Sequence, residues 1–221
     1  MLRLLIDLVA PPACAACGAP TRSGAPPLCP PCRTALSWLP PDTCPRCALP
    51  RPCGPPCPAA RAAFTRAWSP LAYEDTARAL VAALKFRGRL AVADLMAAQI
   101  AANAPDGLLA GTLVAVPTAP GRRRARGFDQ AALLAAAVHR RTGLPVARLL
   151  QRSDHARQAG AGRSARLAAP IAVTLRGRAP ALVTLVDDVH TTGATLDSCA
   201  KALQTSGAQR VQALTYARTL R

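Results

Sequence analysis

The chain has 221 residues, of which 51% are hydrophobic and only 3% are aromatic, and its formal charge at neutral pH is +17. This length allows one sizeable hydrophobic core with a small appended domain, and the charge favours a polyanionic partner. No stretch approaches the roughly 20 apolar residues of a membrane-spanning helix, so we expect no membrane span.

The first fourteen residues imitate a signal peptide, because Arg3 is followed by an apolar stretch and a small-residue exit. Asp7 interrupts that stretch, and the cysteines beyond it are better explained as metal ligands. We therefore expect a short amphipathic segment packed on the protein, and a cytoplasmic location.

Eight of the nine cysteines form four close pairs between positions 14 and 57. Disulfides would permit many connectivities, but each close pair offers two thiolates from one tight turn, as tetrahedral Zn²⁺ requires. The first quartet predicts a zinc site; the second has short, proline-rich spacings, so one or two structural zinc ions remain open. Metal binding would supply most of the folding free energy of this domain, residues 1–60, and a redox or metal-storage role is less favoured. The pairs are Cys14 with Cys17, Cys29 with Cys32, Cys44 with Cys47, and Cys53 with Cys57.

Residues 61–221 alternate between strand and helix patterns, which predicts an α/β domain with a parallel sheet. Trp68 and Tyr73 are expected in its core. The predicted strands are 64–73 with a turn, 112–116, 146–150, 182–186 and 211–216. One predicted helix is capped by Asp75 or Thr76 and ends in residues 85–88, another spans about 90–102, a third follows Gln130 and runs to about Thr142, and the last follows Thr195 and ends at Gly207.

Basic residues are concentrated in one part of this domain, with thirteen arginines against two aspartates between Arg122 and Arg178. The cluster in GRRRARGFDQ, residues 121–130, follows a strand and a rigid proline turn, so it is well placed to meet a phosphate group. A solvated surface or a nucleic-acid interface would explain the same arginines. Residues 151–170 form either a lid over a site or a merely flexible loop.

The stretch ALVTLVDDVHTTGAT, residues 181–195, predicts a buried strand, a polar loop and the start of a helix. Free N–H groups at the helix start, the close approach that Gly193 permits and the threonine hydroxyls would bind a phosphate. Asp187 and Asp188 would be repelled by that phosphate, so they suit Mg²⁺ or a ribose diol. The implied ligand is a ribose 5-phosphate.

This stretch resembles the phosphoribosyl pyrophosphate (PRPP) signature of type I phosphoribosyltransferases. With the cysteine pairs, LKFRG at 84–88 and VPTAPGRRRARGFDQ at 116–130, nearly the whole chain resembles the ComF family. The resemblance implies a type I phosphoribosyltransferase-like sheet flanked by helices, a small N-terminal zinc domain and a cytoplasmic role in DNA uptake and natural transformation. Asp129 stands where the family usually has Asn, and Ala161 and Ala169 replace the usual Leu and Asn of the lid, which puts lid closure in doubt.

The resemblance implies phosphoribosyl transfer, with Mg²⁺ accompanying PRPP. Asp187 and Asp188 would hold the ribose hydroxyls, and no protein nucleophile is needed because catalysis would be mostly positioning and electrostatics. His190 is as compatible with a spacer as with an acid or base. The 5-phosphate would lie on Thr191, Thr192, Gly193, Ala194 and Thr195, and the pyrophosphate on Lys85, Arg122, Arg124 and Arg126.

A non-catalytic alternative keeps the PRPP pocket and assigns the function to a cationic surface that binds single-stranded DNA. The scarcity of aromatic residues favours contacts with the DNA backbone over base stacking. Expected partners are PRPP, single-stranded DNA and a competence helicase or other DNA-uptake proteins. Nothing in the sequence selects the acceptor.

Overall fold

The computed structural model describes residues 12–86, 91–152 and 172–220, so the amino-terminal segment, part of the LKFRG stretch and nearly all of the expected lid lie outside the described residues. Its helices are α1 (Pro30–Thr34), α2 (Asp75–Phe86), α3 (Ala91–Asn103), α4 (Pro120–Arg126), α5 (Gln130–Thr142) and α6 (Ala194–Thr205). Its strands are β1 (Arg66–Trp68), β2 (Leu71–Ala72), β3 (Thr112–Ala115), β4 (Val146–Ala147), β5 (Leu150–Arg152), β6 (Val173–Leu175), β7 (Leu182–His190) and β8 (Arg210–Arg218).

The main sheet has the strand order β1-β8-β7-β3-β4, and β2 also pairs with β8. All of these pairs are parallel, with Val114 opposite Leu185 and Leu185 opposite Ala213 in the central register. The parallel α/β fold that the sequence predicts is therefore confirmed. Because β3 ends at Ala115, opposite Val186 of β7, the segment that follows β3 lies beside the last residues of β7 at one edge of the sheet.

Helices cover both faces of this sheet, which explains why its strands are nearly continuous apolar runs. One core contains Val186 of β7 with buried residues of α2, α3 and α5. The other contains Leu185 with buried residues of α6. Neighbouring residues of β7 belong to different cores because successive side chains of a strand point to opposite faces.

The two cysteine quartets also belong to different faces. Cys14 lies in the core of α2, α3 and α5, whereas Cys44 and Cys47 lie in the core of α6. The quartets therefore contact different parts of the sheet, a separation that their positions in the sequence do not indicate.

Two predicted strands differ from the structure. The run 146–150 is not one strand, because β4 ends at Ala147 in the main sheet and β5 begins at Leu150 in an antiparallel pair with β6. β4 is an edge strand that pairs with the short strand β3, so few hydrogen bonds hold it, and the chain leaves the sheet after Ala147. The strand predicted at 182–186 continues to His190, because β8 is long enough to pair with it as far as Arg218.

The predicted helices agree with the structure to within a few residues. Asp129 caps α5 by accepting a hydrogen bond from the N–H of Ala132 at 3.1 Å, and Gly143 closes that helix in the left-handed conformation. None of the helices within residues 12–86, 91–152 and 172–220 has the length and apolarity needed to cross a membrane.

Candidate functional site

Asp188 is a buried carboxylate near the carboxyl end of β7. Its side chain is 4% exposed, and its Oδ1 accepts a hydrogen bond from Lys85 Nζ at 2.8 Å, which forms an ion pair. Its Oδ2 is buried and has no hydrogen-bond partner among the described residues. Since a buried carboxylate oxygen normally has a partner, this atom is available to a ligand or a cation.

Asp187 has a different environment from its neighbour. Its Oδ1 accepts the backbone N–H of Asp188 at 2.8 Å. Burial, and then the negative charge of Asp188, raise the pKa of Asp187 well above its ordinary value. Asp187 is therefore readily protonated in the free protein, and a bound cation would favour its ionised form.

The loop after β7 turns sharply into α6. Gly193 precedes the helix with φ of 82°, in the left-handed region that favours glycine, and a Cβ built there would lie 2.8 Å from His190 Nε2. Thr191 and Thr192 are exposed, and the Thr192 hydroxyl accepts the N–H of Ala194 at 3.3 Å. Exposed hydroxyls and a helix amino-terminus thus lie directly after the two acids, where an anion would be stabilised.

His190 is not placed as an acid or base in this structure. It is 2% exposed, and its ring meets the Phe64 ring edge to face, with centroids 6.0 Å apart. Burial, and then the positive charge of Arg218, lower the pKa of His190 to about 3. The imidazole is therefore neutral at physiological pH and acts as packing beneath the loop.

The arginine cluster forms the short helix α4, and the residues that follow the helix along the chain hold its last turn in place. Gln130 Oε1 accepts hydrogen bonds from Arg126 at 3.0 Å and from the Thr118 hydroxyl at 3.2 Å. Asp129 Oδ2 accepts the N–H of Thr118 at 3.2 Å. These contacts fix the turn after β3 against the start of α5, so the cluster has a defined orientation.

One cavity of about 760 Å³ brings Lys85 together with part of this cluster. Arg122 and Arg126 line it because they are four residues apart on one face of α4. Arg124, which the sequence groups with them, is exposed on the same helix. The complete lining is Tyr73, Lys85, Phe86, Arg122, Ala125, Arg126 and Phe128.

Three aromatic rings line this cavity, a grouping that the sequence did not indicate. Tyr73, which we expected in the core, is half-buried against the core of α2, α3 and α5 and also lines the cavity. Phe86 is 72% exposed, and the Arg126 guanidinium lies over its ring at 4.9 Å from the centroid. Phe128 completes the group. The available signal was that Phe86 stands between Lys85 and Arg87, and Phe128 two residues after Arg126, in otherwise aromatic-poor sequence.

A second cavity, of about 610 Å³, lies on the other side of α4, between α5 and the β5–β6 pair. Four arginines from separate segments line it, together with Thr118, Asp129 and Gln151. The arginines are Arg123, Arg148, Arg152 and Arg176. The cluster of α4 therefore divides its side chains between two cavities.

The eight paired cysteines assemble into two quartets, each with its sulfur atoms within 4.8 Å of one another. The Sγ atoms of Cys17 and Cys29 are 3.8 Å apart, and those of Cys44 and Cys57 are 3.9 Å apart. Tetrahedral zinc with Zn–S bonds of about 2.3 Å requires sulfur separations of about 3.8 Å, whereas a disulfide requires about 2.05 Å. Both quartets fit zinc, and all four predicted pairs take part: Cys14, Cys17, Cys29 and Cys32 in the first, and Cys44, Cys47, Cys53 and Cys57 in the second.

Parts of this chain are similar to known proteins. Residues 5–61 match the double zinc ribbon domain family, which confirms the prediction of structural zinc. The chain is 30% identical over 107 residues to the competence protein ComFC of Streptococcus pneumoniae strain R6, and the match covers 48% of this chain and 47% of that protein. The chain thus spans about half the length of this curated relative. Among solved structures, a purine phosphoribosyltransferase from Pyrococcus horikoshii Ot3 aligns with a TM-score of 0.33 and 15% identity, covering 60% of this chain and 83% of that one.

Proposed function

We propose that this chain, which its competence-protein relative and its zinc ribbon match support as a ComF-family protein with an N-terminal zinc domain, binds PRPP and transfers its phosphoribosyl group. Asp187 and Asp188 would hold the ribose hydroxyls, directly or through Mg²⁺. The loop of Thr191, Thr192, Gly193, Ala194 and Thr195 would bind the 5-phosphate. The pyrophosphate would lie among Lys85, Arg122, Arg124 and Arg126.

The observation that carries this proposal is the unsatisfied Oδ2 of Asp188. A buried acceptor without a partner costs about 1–3 kcal/mol, so its retention favours a ligand group that satisfies it. The acceptor lies a few residues before a glycine-opened helix amino-terminus, and its other oxygen is paired with Lys85 at 2.8 Å. A hydroxyl or cation site next to an anion site is what a ribose phosphate needs.

Mg²⁺ fits this donor set, because it prefers carboxylate oxygens together with substrate phosphates. When bound, it would neutralise charge that develops on the departing pyrophosphate. Lys85 would hold Asp188 in place through their ion pair at 2.8 Å, and Arg122 and Arg126 would face the leaving group from the cavity that they share with Lys85. The α4 arginines suit this role because guanidinium groups bind phosphate oxygens in pairs.

In the proposed reaction, a nucleophile of the acceptor forms a bond to the anomeric carbon while the bond to the pyrophosphate oxygen breaks. The protein supplies position and charge, since positive charge develops on the sugar and negative charge on the leaving group. The neutral, buried His190 takes no part in proton transfer. The setting in DNA uptake, which the name of the relative supports, belongs to this proposal, as do a cytoplasmic location and a helicase partner, which only the sequence resemblance implies.

Calorimetry tests the proposal directly. Zinc-loaded wild type should bind PRPP more tightly with Mg²⁺ than without it, and Asp187→Ala/Asp188→Ala should abolish that binding. Asp94→Ala is the matched control, since Asp94 is an exposed carboxylate that pairs with Arg140 on another part of the surface. Absence of binding by folded, zinc-loaded wild type would refute the proposal.

A second candidate function is binding of single-stranded DNA without catalysis. It is favoured by the cavity that combines Tyr73, Phe86 and Phe128 with three cationic side chains. The chain has only two Trp, two Tyr and three Phe, and three of these seven residues line this one cavity. Rings and cations together suit stacked bases and their phosphates. The three rings in one cavity therefore favour base stacking, whereas the scarcity of aromatic residues in the sequence favoured contacts with the DNA backbone.

Fluorescence anisotropy with a labelled oligothymidylate separates the two functions. DNA binding through this cavity should weaken about tenfold in Phe86→Ala/Phe128→Ala and fall steeply with salt. It should be unaffected by Asp187→Ala/Asp188→Ala. Equal affinity of the aromatic variant and the wild type would eliminate the cavity as the DNA site.

A further inference from the structure

Arg218 is a buried cation at the end of β8 that the predicted strand 211–216 does not include. It is 3% exposed, and its hydrogen-bond partners among the described residues are neutral oxygens. Its Nε donates to the carbonyl of Cys47 at 2.8 Å. One terminal nitrogen donates to the carbonyl of His190 at 2.9 Å and to the carbonyl of Thr191.

These bonds join two regions that are far apart in the sequence. Cys47 belongs to the second cysteine quartet, and its position is fixed by a tight turn in which the Ala48 N–H donates to the Cys44 carbonyl at 2.8 Å. Thr191 begins the loop that precedes α6. A single guanidinium thus spans from a zinc ribbon to the proposed phosphate loop.

A second contact supports the same junction. Arg46, which lies between Cys44 and Cys47 of the second quartet, donates to the carbonyl of Phe64 at 2.8 Å and to that of Ala62 at 2.9 Å. Phe64 in turn packs against the ring of His190, whose Nε2 faces Gly193. The second ribbon therefore supports the loop through both Arg218 and Phe64.

In the described part of the chain, no hydrogen bond of the first quartet reaches this loop. Cys14 and its neighbours pack in the core on the opposite face of the sheet, with α2, α3 and α5. Loss of order there would disturb the helices before it reached the loop. The two quartets thus form a matched pair for experiment.

We infer that Arg218 is a positioning residue for the phosphate loop, and that the second zinc ribbon, unlike the first, holds this loop in its binding conformation. The loss of the second zinc ion would release the Cys47 carbonyl. The Nε of the buried guanidinium would then lose its partner, and the side chain would shift, because an unsatisfied buried donor on a charged group is costly. The loop carbonyls of His190 and Thr191 would move with it. The inference about ligand affinity rests on the proposed function, whereas the inference about loop order does not.

The first test compares two pairs of substitutions in the full chain, Cys53→Ser/Cys57→Ser and Cys17→Ser/Cys32→Ser. Elemental analysis should show that each variant loses one of two zinc ions. Amide exchange without ligand should be about tenfold faster or more for the peptide 191–196 in the second-quartet variant, as loss of a charge-assisted hydrogen bond predicts. It should stay within about twofold of wild type in the first-quartet variant. Equal acceleration in both variants, or none in either, would overturn the inference.

The second test leaves the cysteines unchanged and decides the question if their variants do not fold. Arg218→Gln should retain two zinc ions and show the same faster exchange at 191–196. Arg218→Lys should be intermediate, since lysine keeps the charge but has fewer donors. Arg210→Gln, at the exposed start of the same strand, is the control and should match wild type. Wild-type exchange in Arg218→Gln would overturn the inference.

Ligand affinity provides the functional readout. PRPP should bind about tenfold more weakly to Arg218→Gln than to wild type, as expected for loss of one charge-assisted hydrogen bond, and equally well to Arg210→Gln. Wild-type affinity in Arg218→Gln with a disordered loop would overturn the positioning role. If wild type itself does not bind PRPP, the proposed function fails, and the exchange comparison still decides the structural inference.

Discussion

Replacement of Lys85 by methionine isolates the central ion pair of the site. The Lys85 Nζ and Asp188 Oδ1 atoms are 2.8 Å apart, with side chains 20% and 4% exposed. Removal of one partner from a buried pair costs about 3–5 kcal/mol, because the remaining charge stays buried. Lys85 retains some solvent contact, so we expect the free energy of unfolding to fall by about 2–3 kcal/mol, a change of roughly 30- to 150-fold in the unfolding equilibrium.

The chain contains one other lysine, which supplies the control. Lys201 pairs with Asp197 at 2.7 Å one turn away on α6, with side chains 65% and 25% exposed. Exposed pairs of this kind contribute about 0.3–0.5 kcal/mol, so Lys201→Met should be nearly neutral. Urea unfolding of the zinc-loaded proteins at pH 7.5 would measure both differences.

The double variant Lys85→Met/Asp188→Asn completes the cycle. Because the asparagine removes the buried charge that Lys85→Met leaves unpaired, we expect it to recover more than half of the lost free energy. Mg²⁺ should stabilise Lys85→Met more than wild type, since the released carboxylate becomes a better cation ligand. Equal small losses in Lys85→Met and Lys201→Met, with additive effects in the double variant, would refute this account of the pair.

Three further predictions concern β7 and the loop that follows it. Gly193→Ala should lower the free energy of unfolding by about 2–3 kcal/mol, because φ is 82° and the new Cβ would lie 2.8 Å from His190 Nε2. Gly177→Ala is the control, where φ is 83° and nothing lies within 4 Å, and thermal unfolding should show a loss of only about 1 kcal/mol there. Asp187→Asn should raise the melting temperature at pH 7.5 but not near pH 4. A carboxyl whose pKa is raised on folding destabilises the folded protein as the pH increases, and the asparagine removes this effect. An equal or lower melting temperature of the variant at pH 7.5 would contradict this. The pKa of His190 is lowered from 6.5 to about 3, so between pH 7.5 and 5.5 this residue becomes protonated only in the unfolded chain. Over that range the free energy of unfolding of wild type should therefore fall by about 1 kcal/mol more than that of His190→Leu. Parallel losses of the two proteins would disprove this.

The extent of sequence prediction is clearest at the signature stretch. The apolar run before the acids, the glycine and the helix after it follow from local pattern, and the structure confirms each. The end of β7 was missed because strand length depends on a partner, here β8, which pairs with β7 up to Arg218 opposite His190. A partner that begins 20 residues later along the chain leaves no local signal.

The arginine cluster shows a different limit. The sequence predicted a rigid turn before the cluster, and Arg122, Arg124 and Arg126 were grouped as ligands of one pyrophosphate. The segment is instead helical, so Arg122 and Arg126 share one cavity and Arg123 faces another. Pro120 at the first helical position was the available signal, because proline is favoured there.

The pair of acids shows why the site needs its strand as well as its loop. In the sequence Asp187 and Asp188 are equivalent neighbours, but a strand directs successive side chains to opposite faces. Asp188 therefore shares the face of Val186 and meets Lys85 of α2, whereas Asp187 shares the face of Leu185 and lies near Cys199 on α6, whose pKa is raised by burial and then by the charge of Asp187. Burial, and then the charge of Asp188, raise the pKa of Asp187, and a cation bound near the two acids would oppose that shift. Ligand binding at this site should accordingly be linked to proton release, a property that comes from the extension of β7 through both acids.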